Sequence, residues 1–227
     1  MKVRQHLCGV AVGFALAALT LGASATLSAP TTAASIPNLD SVKAEIEAYY
    51  TSGNYLHEAS AVVARAQAYV DARLREHPRK PAIVLDIDDT ALSDYGYEAS
   101  HDFGYDPRTY DADINAEAFP AIAPTLAFAR HVKREGVAVI FVTGRRTPQR
   151  AATLGNLEKV GYPVDALWLR PVADRAHSVI PFKSHAREEI EHEGYSVLIS
   201  MGDQYSDLRG GYADRDFKLP NPMYLVP

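Results

Sequence analysis

The chain turns from apolar to acidic at residues 82–90, Ala82-Ile83-Val84-Leu85-Asp86-Ile87-Asp88-Asp89-Thr90. Ala82 to Leu85 is typical of a strand buried on both faces, and Pro81 bounds it upstream. Two carboxylates about 4 Å apart repel by roughly 4 kcal/mol at an effective dielectric constant of 20. A fold keeps such a repulsion where a cation lies between the acids or where the charge takes part in chemistry. The alternative is a buried strand followed by an acidic turn, and the rest of the chain must separate the two.

Segments typical of strands and helices alternate after this stretch. The pattern predicts further strands at 137–142, 166–169 and 197–200, and helices at 119–135, 148–160 and 184–193. Ser184 is the expected N-cap of the last helix. The apolar, proline-containing tail at 217–226 predicts a last strand or two at a sheet edge. The alternation indicates an α/β fold, a Rossmann-like parallel sheet with helices on both faces.

Two further helices are predicted ahead of the first strand, at 42–50 and 56–74, where apolar residues recur at helical spacing. They are expected to brace the sheet.

Residues 92–118 are rich in Tyr, Asp and Gly and show no clean period. A loop this long in a compact domain is usually functional. We interpret 94–118 as a small cap inserted after the first catalytic strand, over the mouth of the site. Its aromatic residues are candidates for stacking on a nucleoside or aryl group. The alternative is a plain surface loop whose aromatics lie in the core.

The N-terminus is typical of a secretory signal peptide, with a basic start, an apolar run at 7–21 and an Ala23-Ser24-Ala25 cleavage site. We predict a signal peptide at 1–25, a flexible leader at 26–40 and one domain at 41–227. The single cysteine, Cys8, precedes the apolar core of the signal, so it is not placed as a lipid anchor would be. The expected product is secreted or extracytoplasmic, without disulfides.

Composition narrows the class of partner. Hydrophobic residues at 47% and charged residues at 22% are globular values. The net charge of −5 becomes −7 once Lys2 and Arg4 leave with the signal. An acidic chain without a run of basic residues is a poor candidate for binding a nucleic acid polymer, or a membrane after cleavage. The sequence does not indicate an oligomeric state.

Polar residues follow the predicted strand ends, where ligands bind in open parallel sheets. Asp86 follows the first strand, Thr143 the second and Asp203 the fourth, while Asp207 lies close behind and Lys183 precedes a helix. Carboxylate oxygens without His or Cys clusters suit Mg²⁺ better than Zn²⁺. A hydroxyl, a lysine and a divalent cation together form a receptor for a phosphate dianion. A nearby carboxylate can attack phosphorus, and a second one can carry the proton.

These residues resemble the four motifs of the haloacid dehalogenase-like (HAD) hydrolases, in the same order. Asp86-Ile87-Asp88-Asp89-Thr90 is similar to DxDxT, Thr143 to the hydroxyl of the second motif, Lys183 to the third motif, and 202–207 to GDxxxD. Segments around Phe182, 202–208 and 217–224 resemble secreted acid phosphatases of the class B and plant vegetative storage protein type. The resemblance spans about residues 40–227.

The resemblance implies a role for each residue. Asp86 would be the nucleophile and an Mg²⁺ ligand. Asp88 would be the general acid and base, with its backbone carbonyl on the metal. Thr143 and Gly144 would hold the phosphoryl oxygens. Lys183 would neutralise the negative charge of the nucleophile and of the phosphate. Asp203 would ligate Mg²⁺, and Asp207 would support the metal shell or orient Lys183. An acid at position 88 favours fast hydrolysis of the intermediate over a long-lived aspartyl-phosphate.

The expected function is therefore a secreted, Mg²⁺-dependent acid phosphatase that hydrolyses small phosphomonoesters through an aspartyl-phosphate. One alternative is a non-catalytic storage or binding protein with the same fold, and intact Asp86 speaks against it. A phosphotransferase using the same intermediate is another. Arg145 and Arg146 are equally consistent with phosphate binding and with surface roles.

Overall fold

The computed structural model describes residues 36–226. The predicted signal peptide, Cys8 and residues 26–35 of the predicted leader lie outside the described residues. Within the described part of the chain, no helix is both long and apolar enough to cross a membrane.

Five parallel strands form one sheet. In chain order they are β1 (Pro81–Leu85), β2 (Ala138–Arg146), β3 (Ala166–Arg170), β4 (Ser196–Gly202) and β5 (Arg215–Lys218). The spatial order is β3-β2-β1-β4-β5, which puts β1 in the centre. Leu85, its last residue, pairs with Phe141 on one side and Met201 on the other. The predicted parallel α/β sheet is confirmed.

Helices cover both faces of this sheet, as the continuous apolar strands predicted. On one face Ile83 and Leu85 join a cluster with buried residues of α2 (Asn54–Leu74), α5 (Ala123–Arg134) and α6 (Arg150–Val160). On the other face Ala82 and Val84 pack in a cluster with α7 (Ile180–His192). Successive strand residues point to opposite faces, so β1 is buried on both.

The first helix begins inside the segment predicted as leader. α1 (Leu39–Thr51) starts two residues before position 41, because the Asn38 side chain caps it by accepting from the Asp40 amide at 2.9 Å. No residue of α1 is fully buried, whereas α2 packs against α5, β4 and β5.

The segment at 94–118 contains two short helices, α3 (Tyr95–Ser100) and α4 (Pro107–Asn115). No period was visible because neither helix exceeds nine residues and the connection between them holds Asp102 and Phe103 at positive φ. The two ends of the insertion meet at a stem. There the Ser93 amide donates to the Pro120 carbonyl and the Ile122 amide to the Ala91 carbonyl, both at 2.9 Å.

Three predicted boundaries were wrong, each at a proline. α5 starts at Ala123 instead of 119, with Pro124 in its first turn. α7 starts at Ile180 with Pro181 in its first turn, so Ser184 is not an N-cap, and its hydroxyl donates to the Gly210 carbonyl at 2.7 Å. The tail at 217–226 extends β5 only to Lys218, because the prolines beyond cannot donate to a ladder.

Asn156 ties α6 to the chain that returns from the cap. Its side chain is fully buried, accepts from the Phe119 amide at 3.1 Å and donates to the Phe119 carbonyl at 2.8 Å. Asn156→Leu leaves both backbone groups unpaired, so we expect the free energy of unfolding in urea to fall by roughly 2–4 kcal/mol. Asn115→Leu, at the exposed end of α4, is the control and should change it by less than about 0.5 kcal/mol. Equal effects of the two substitutions would contradict this account.

Candidate active site

The carboxyl ends of the central strands open into a cavity of about 520 Å³. Asp86, at the end of β1, and Asp203, at the end of β4, line it together with Asp88, Gly144 and Lys183. Cap residues close the opposite side. Asp86 and Asp203, more than a hundred positions apart in the sequence, thus meet at the carboxyl ends of neighbouring strands, as predicted.

Three carboxylates meet at the base of the cavity. Asp86, Asp203 and Asp207 each offer one oxygen, and the three oxygens lie within 4.8 Å of one another. All three residues are at most 6% exposed. Lys183 is also buried; its Nζ donates to Asp86 Oδ1 at 2.6 Å and to Asp207 Oδ1. Lys183 thus lies in the first turn of α7 rather than in a loop before it.

The electrostatics of this cluster show an excess of negative charge. Burial, and after it the charge of Asp207, raises the pKa of Asp203 to about 6. Burial and then Asp207 also raise the pKa of Asp86 well above its usual range, although Lys183 opposes the rise. Burial lowers the pKa of Lys183, but the charges of Asp207 and Asp86 more than offset this and leave it raised. One lysine does not balance three buried acids.

The donor set fits a hard divalent cation. Three carboxylate oxygens at this spacing, without imidazole or thiolate among them, are typical of Mg²⁺ sites. Neutral donors fix the Asp203 carboxylate: Gln204 Nε2 at 2.6 Å and Asn221 Nδ2 at 2.7 Å bind Oδ2. The Thr90 hydroxyl donates to Asp203 Oδ1 at 3.1 Å and accepts from the Asp203 amide at 3.0 Å. Such outer contacts orient a metal ligand.

The Asp88 carboxylate does not join the three. Its Oδ1 accepts from Arg145 Nε and from the Tyr110 hydroxyl, both at 2.9 Å. The Thr143 hydroxyl lies 3.5 Å from Asp88 Oδ2 and accepts from the Arg145 amide at 3.1 Å. Asp88 is therefore held on the β2 side of the cavity, beside Thr143 and Gly144.

The position of the Asp207 carboxylate depends on the glycine at position 202. A Cβ on Gly202 would lie 2.1 Å from Asp207 Oδ2, so a side chain at 202 would displace this carboxylate. The Gln204 amide donates to the same oxygen at 2.8 Å. Buried Arg187 and Ser200 donate to the Asp207 carbonyl at 2.7 and 2.8 Å and fix its backbone.

The sequence left Arg145 open between phosphate binding and a surface role, and it did not predict the contact of either Arg145 or Tyr110 with Asp88. Arg145 is only 4% exposed, so the surface interpretation was wrong for it. Its neighbour Arg146 lines the cavity while Nη1 donates to the carbonyls of Pro171 and Asp174 at 3.0 and 2.9 Å. Tyr110 lies on α4, and the lack of visible periodicity in the cap hid its position.

Thr90 and Thr125 offer a matched pair of buried hydroxyls. Thr90 bonds twice to Asp203, whereas the Thr125 hydroxyl has no partner among residues 36–226. Thr90→Val strands the Asp203 amide, so we expect the free energy of unfolding to fall by roughly 1–3 kcal/mol. Thr125→Val removes an unpaired group and should be neutral or stabilising. Urea titrations followed by circular dichroism check this, and a larger loss for Thr125→Val would refute it.

Comparison with known proteins agrees with this geometry. The family described as HAD superfamily, subfamily IIIB (acid phosphatase), matches residues 15–227. The chain is 36% identical over 185 residues to the stem 28 kDa glycoprotein of Glycine max (78% of this chain, 72% of that protein). It is 30% identical over 186 residues to acid phosphatase 1 of Solanum lycopersicum (80% and 73%) and 30% identical over 202 residues to vegetative storage protein 1 of Arabidopsis thaliana (85% and 74%).

A solved structure extends the comparison to three dimensions. The class C acid phosphatase from Bacillus anthracis superposes with a TM-score of 0.69 at 25% identity, over 82% of this chain and 86% of that one. The resemblance, the α/β fold and the phosphomonoesterase class inferred from the sequence are thereby confirmed. The chain belongs to subfamily IIIB of the HAD superfamily, the acid phosphatases.

Proposed function

We propose that this chain is an exported, Mg²⁺-dependent phosphomonoesterase that works through an aspartyl-phosphate on Asp86. The observation that carries the proposal is the contact between Lys183 Nζ and Asp86 Oδ1, 2.6 Å, at the end of the central strand and inside a cluster of buried acids. Export rests on the signal peptide predicted at 1–25.

Asp86 is the proposed nucleophile. One carboxylate oxygen attacks phosphorus, the ester P–O bond breaks, and an acyl phosphate remains on Asp86. Lys183 favours the charged form of this carboxylate and the phosphate dianion that approaches it. When bound by Asp86, Asp203, Asp207 and the Asp88 carbonyl, Mg²⁺ supplies positive charge for the nucleophile and the phosphoryl oxygens.

Asp88 is the proposed proton carrier. Its carboxyl gives a proton to the leaving alcohol oxygen, and the resulting carboxylate then takes a proton from the water that hydrolyses the acyl phosphate. Proton transfer of this kind contributes on the order of 10²–10⁴ in rate. Arg145 and Tyr110 hold the carboxylate in one rotamer through contacts of 2.9 Å each.

Thr143, Gly144 and Lys183 form the proposed phosphoryl receptor. Thr143 and Gly144 come from the end of β2, next to β1, and Gly144 lines the cavity. Asp207 accepts from Lys183 and so orients the ammonium group toward Asp86.

A storage protein with the same fold is the second candidate, because two relatives from Arabidopsis thaliana carry that name. The intact pair of Asp86 and Lys183 favours turnover instead. Transfer of the phosphoryl group to an acceptor alcohol would use the same intermediate, and partition of the product between phosphate and an added alcohol separates the two reactions.

Removal of the nucleophile tests the mechanism. We expect Asp86→Asn to reduce hydrolysis of p-nitrophenyl phosphate below detection, since an amide cannot form the acyl phosphate. Asp40→Asn, exposed on α1, makes the same chemical change away from the cavity and should keep wild-type kcat. Undiminished activity of Asp86→Asn would exclude the mechanism. A wild-type protein inert toward a panel of phosphomonoesters would favour the storage alternative.

Metal dependence has two measurable consequences. A chelator should abolish hydrolysis, and added Mg²⁺ should restore it. Mg²⁺ should also raise the Tm of the wild type, because a ligand of the native state stabilises it by mass action. Asp203→Asn removes one of the three carboxylates and should shift the Mg²⁺ concentration for half-maximal Tm increase at least tenfold upward. Full activity in the presence of the chelator, together with a Tm that does not change with Mg²⁺ concentration, would refute the metal site.

A further inference from the structure

The cap is strongly acidic, although it lies over a site proposed to bind a dianion. Residues 94–118 contain one basic side chain that is charged at neutral pH, Arg108, and seven acids: Asp94, Glu98, Asp102, Asp106, Asp111, Asp113 and Glu117. Arg108 is itself paired with Asp106 at 3.0 Å. The cavity shows the same asymmetry, because all of its basic lining residues, Lys183, Arg145 and Arg146, come from the sheet side. A second anionic group on a substrate would be repelled at the cap end.

Glu98 is the unusual member of this set. It lies on α3, lines the same cavity as Asp86 and is only 6% exposed. Among residues 36–226, no group donates a hydrogen bond to the Glu98 carboxylate, and no basic side chain forms an ion pair with it. Burial raises the pKa of Glu98, and the nearby His101 opposes the rise. Glu98 is buried as a residue while it lines the cavity, so a ligand there can supply the donor that the described protein groups do not.

Each of the other two acidic cap residues at the cavity has a partner on one oxygen. Asp111 accepts from Gln149 Nε2 at 2.7 Å. Asp94 Oδ2 lies against the Tyr110 hydroxyl, whose single proton is shared between Asp94 and Asp88, and Asp94 Oδ1 is buried without a partner among residues 36–226. Within the same residues, Glu98 is the cap carboxylate at the cavity that has no partner on either oxygen.

Three aromatic side chains of the cap line the same cavity as Glu98. Phe103, Tyr105 and Tyr110 line it, and the rings of Tyr105 and Tyr110 lie 5.5 Å apart between centroids at 56°. Tyr105 is 66% exposed, so its ring is free to cover a ligand. Aromatic faces beside an anionic group are the chemistry that binds ammonium ions, through cation–π attraction and charge pairing.

We propose that the recess formed by Glu98, Phe103, Tyr105 and Tyr110 binds the cationic end of the substrate, which makes the substrate class phosphomonoesters of amino alcohols. The inference deepens the proposed function and rests on it. The phosphate lies at the sheet end and the ammonium group lies under the cap. The cavity, at about 520 Å³, is within the range of small-molecule sites.

Two substrates that differ only in charge test this proposal. Phosphocholine carries a quaternary nitrogen, and 3,3-dimethylbutyl phosphate has a carbon atom in its place. We expect kcat/KM to favour phosphocholine at least tenfold. Glu98→Gln should lower kcat/KM for phosphocholine and leave kcat/KM for 3,3-dimethylbutyl phosphate nearly unchanged. Most of the preference for phosphocholine should therefore be lost. Asp113→Asn, a cap acid that does not line the cavity, is the matched control and should keep the wild-type ratio.

A second variant guards against a folding defect in Glu98→Gln. Tyr105→Leu keeps apolar contact at an exposed position but removes the aromatic face, so it should lower the ratio severalfold. A wild-type ratio near one, or a ratio unchanged in both variants, would overturn the ammonium site.

Binding separates the failure of this inference from failure of the proposed function. Calorimetry on Asp86→Asn measures the Kd of both esters without turnover, and a tenfold preference for phosphocholine supports the recess. Hydrolysis of both esters at equal kcat/KM would leave the phosphatase intact and refute the recess. If the wild type hydrolyses neither ester nor p-nitrophenyl phosphate, the proposed function fails, and equal Kd values would then refute the recess as well.

Discussion

One ammonium group organises the cluster of acids. Lys183 Nζ contacts both Asp86 and Asp207 in a place where all three side chains are nearly inaccessible to solvent. Loss of one member of a buried ion pair typically costs about 3–5 kcal/mol, because the remaining charge has no compensation. The site therefore depends on the face of the sheet that α7 covers: α7 brings the lysine from that side, and the acids follow the ends of β1 and β4.

The central position of β1 fixes Asp86. Hydrogen bonds to β2 and β4 hold this strand on both edges, and the Asp86 amide donates to the Met201 carbonyl at 3.0 Å. Asp86 is thus fixed in the backbone ladder rather than on a free loop. The proposed nucleophile therefore loses little further freedom when a substrate arrives.

The sheet and the residues at its edge could be predicted, because apolar runs alternate with helical periods and acids follow the strand ends. Lys183 was placed in a loop because Ser184 resembled an N-cap, although Pro181 was the better indicator of a helix start. The contacts of Arg145 and Tyr110 with Asp88 could not be predicted from the sequence. They reach Asp88 across 57 and 22 positions, and only the packed cap and β2 bring them together. Asn221 lies in a segment that resembled the family, yet its contact with Asp203 depends on the path of the chain after β5.

The stem of the cap has a consequence for how such enzymes diversify. Residues 91–93 and 120–122 are joined by backbone hydrogen bonds and by a bridge between Leu92 and Ala121. The chain therefore leaves and re-enters the domain at one closed neck, and beyond it Tyr110 and Asp111 contact Asp88 and Gln149. Doubling the length of a flexible insertion costs only about 0.6 kcal/mol in closure entropy. The inserted segment can therefore vary in length and sequence around its helices, and the range of alcohols accepted can vary with it, provided that the contact between Tyr110 and Asp88 is kept.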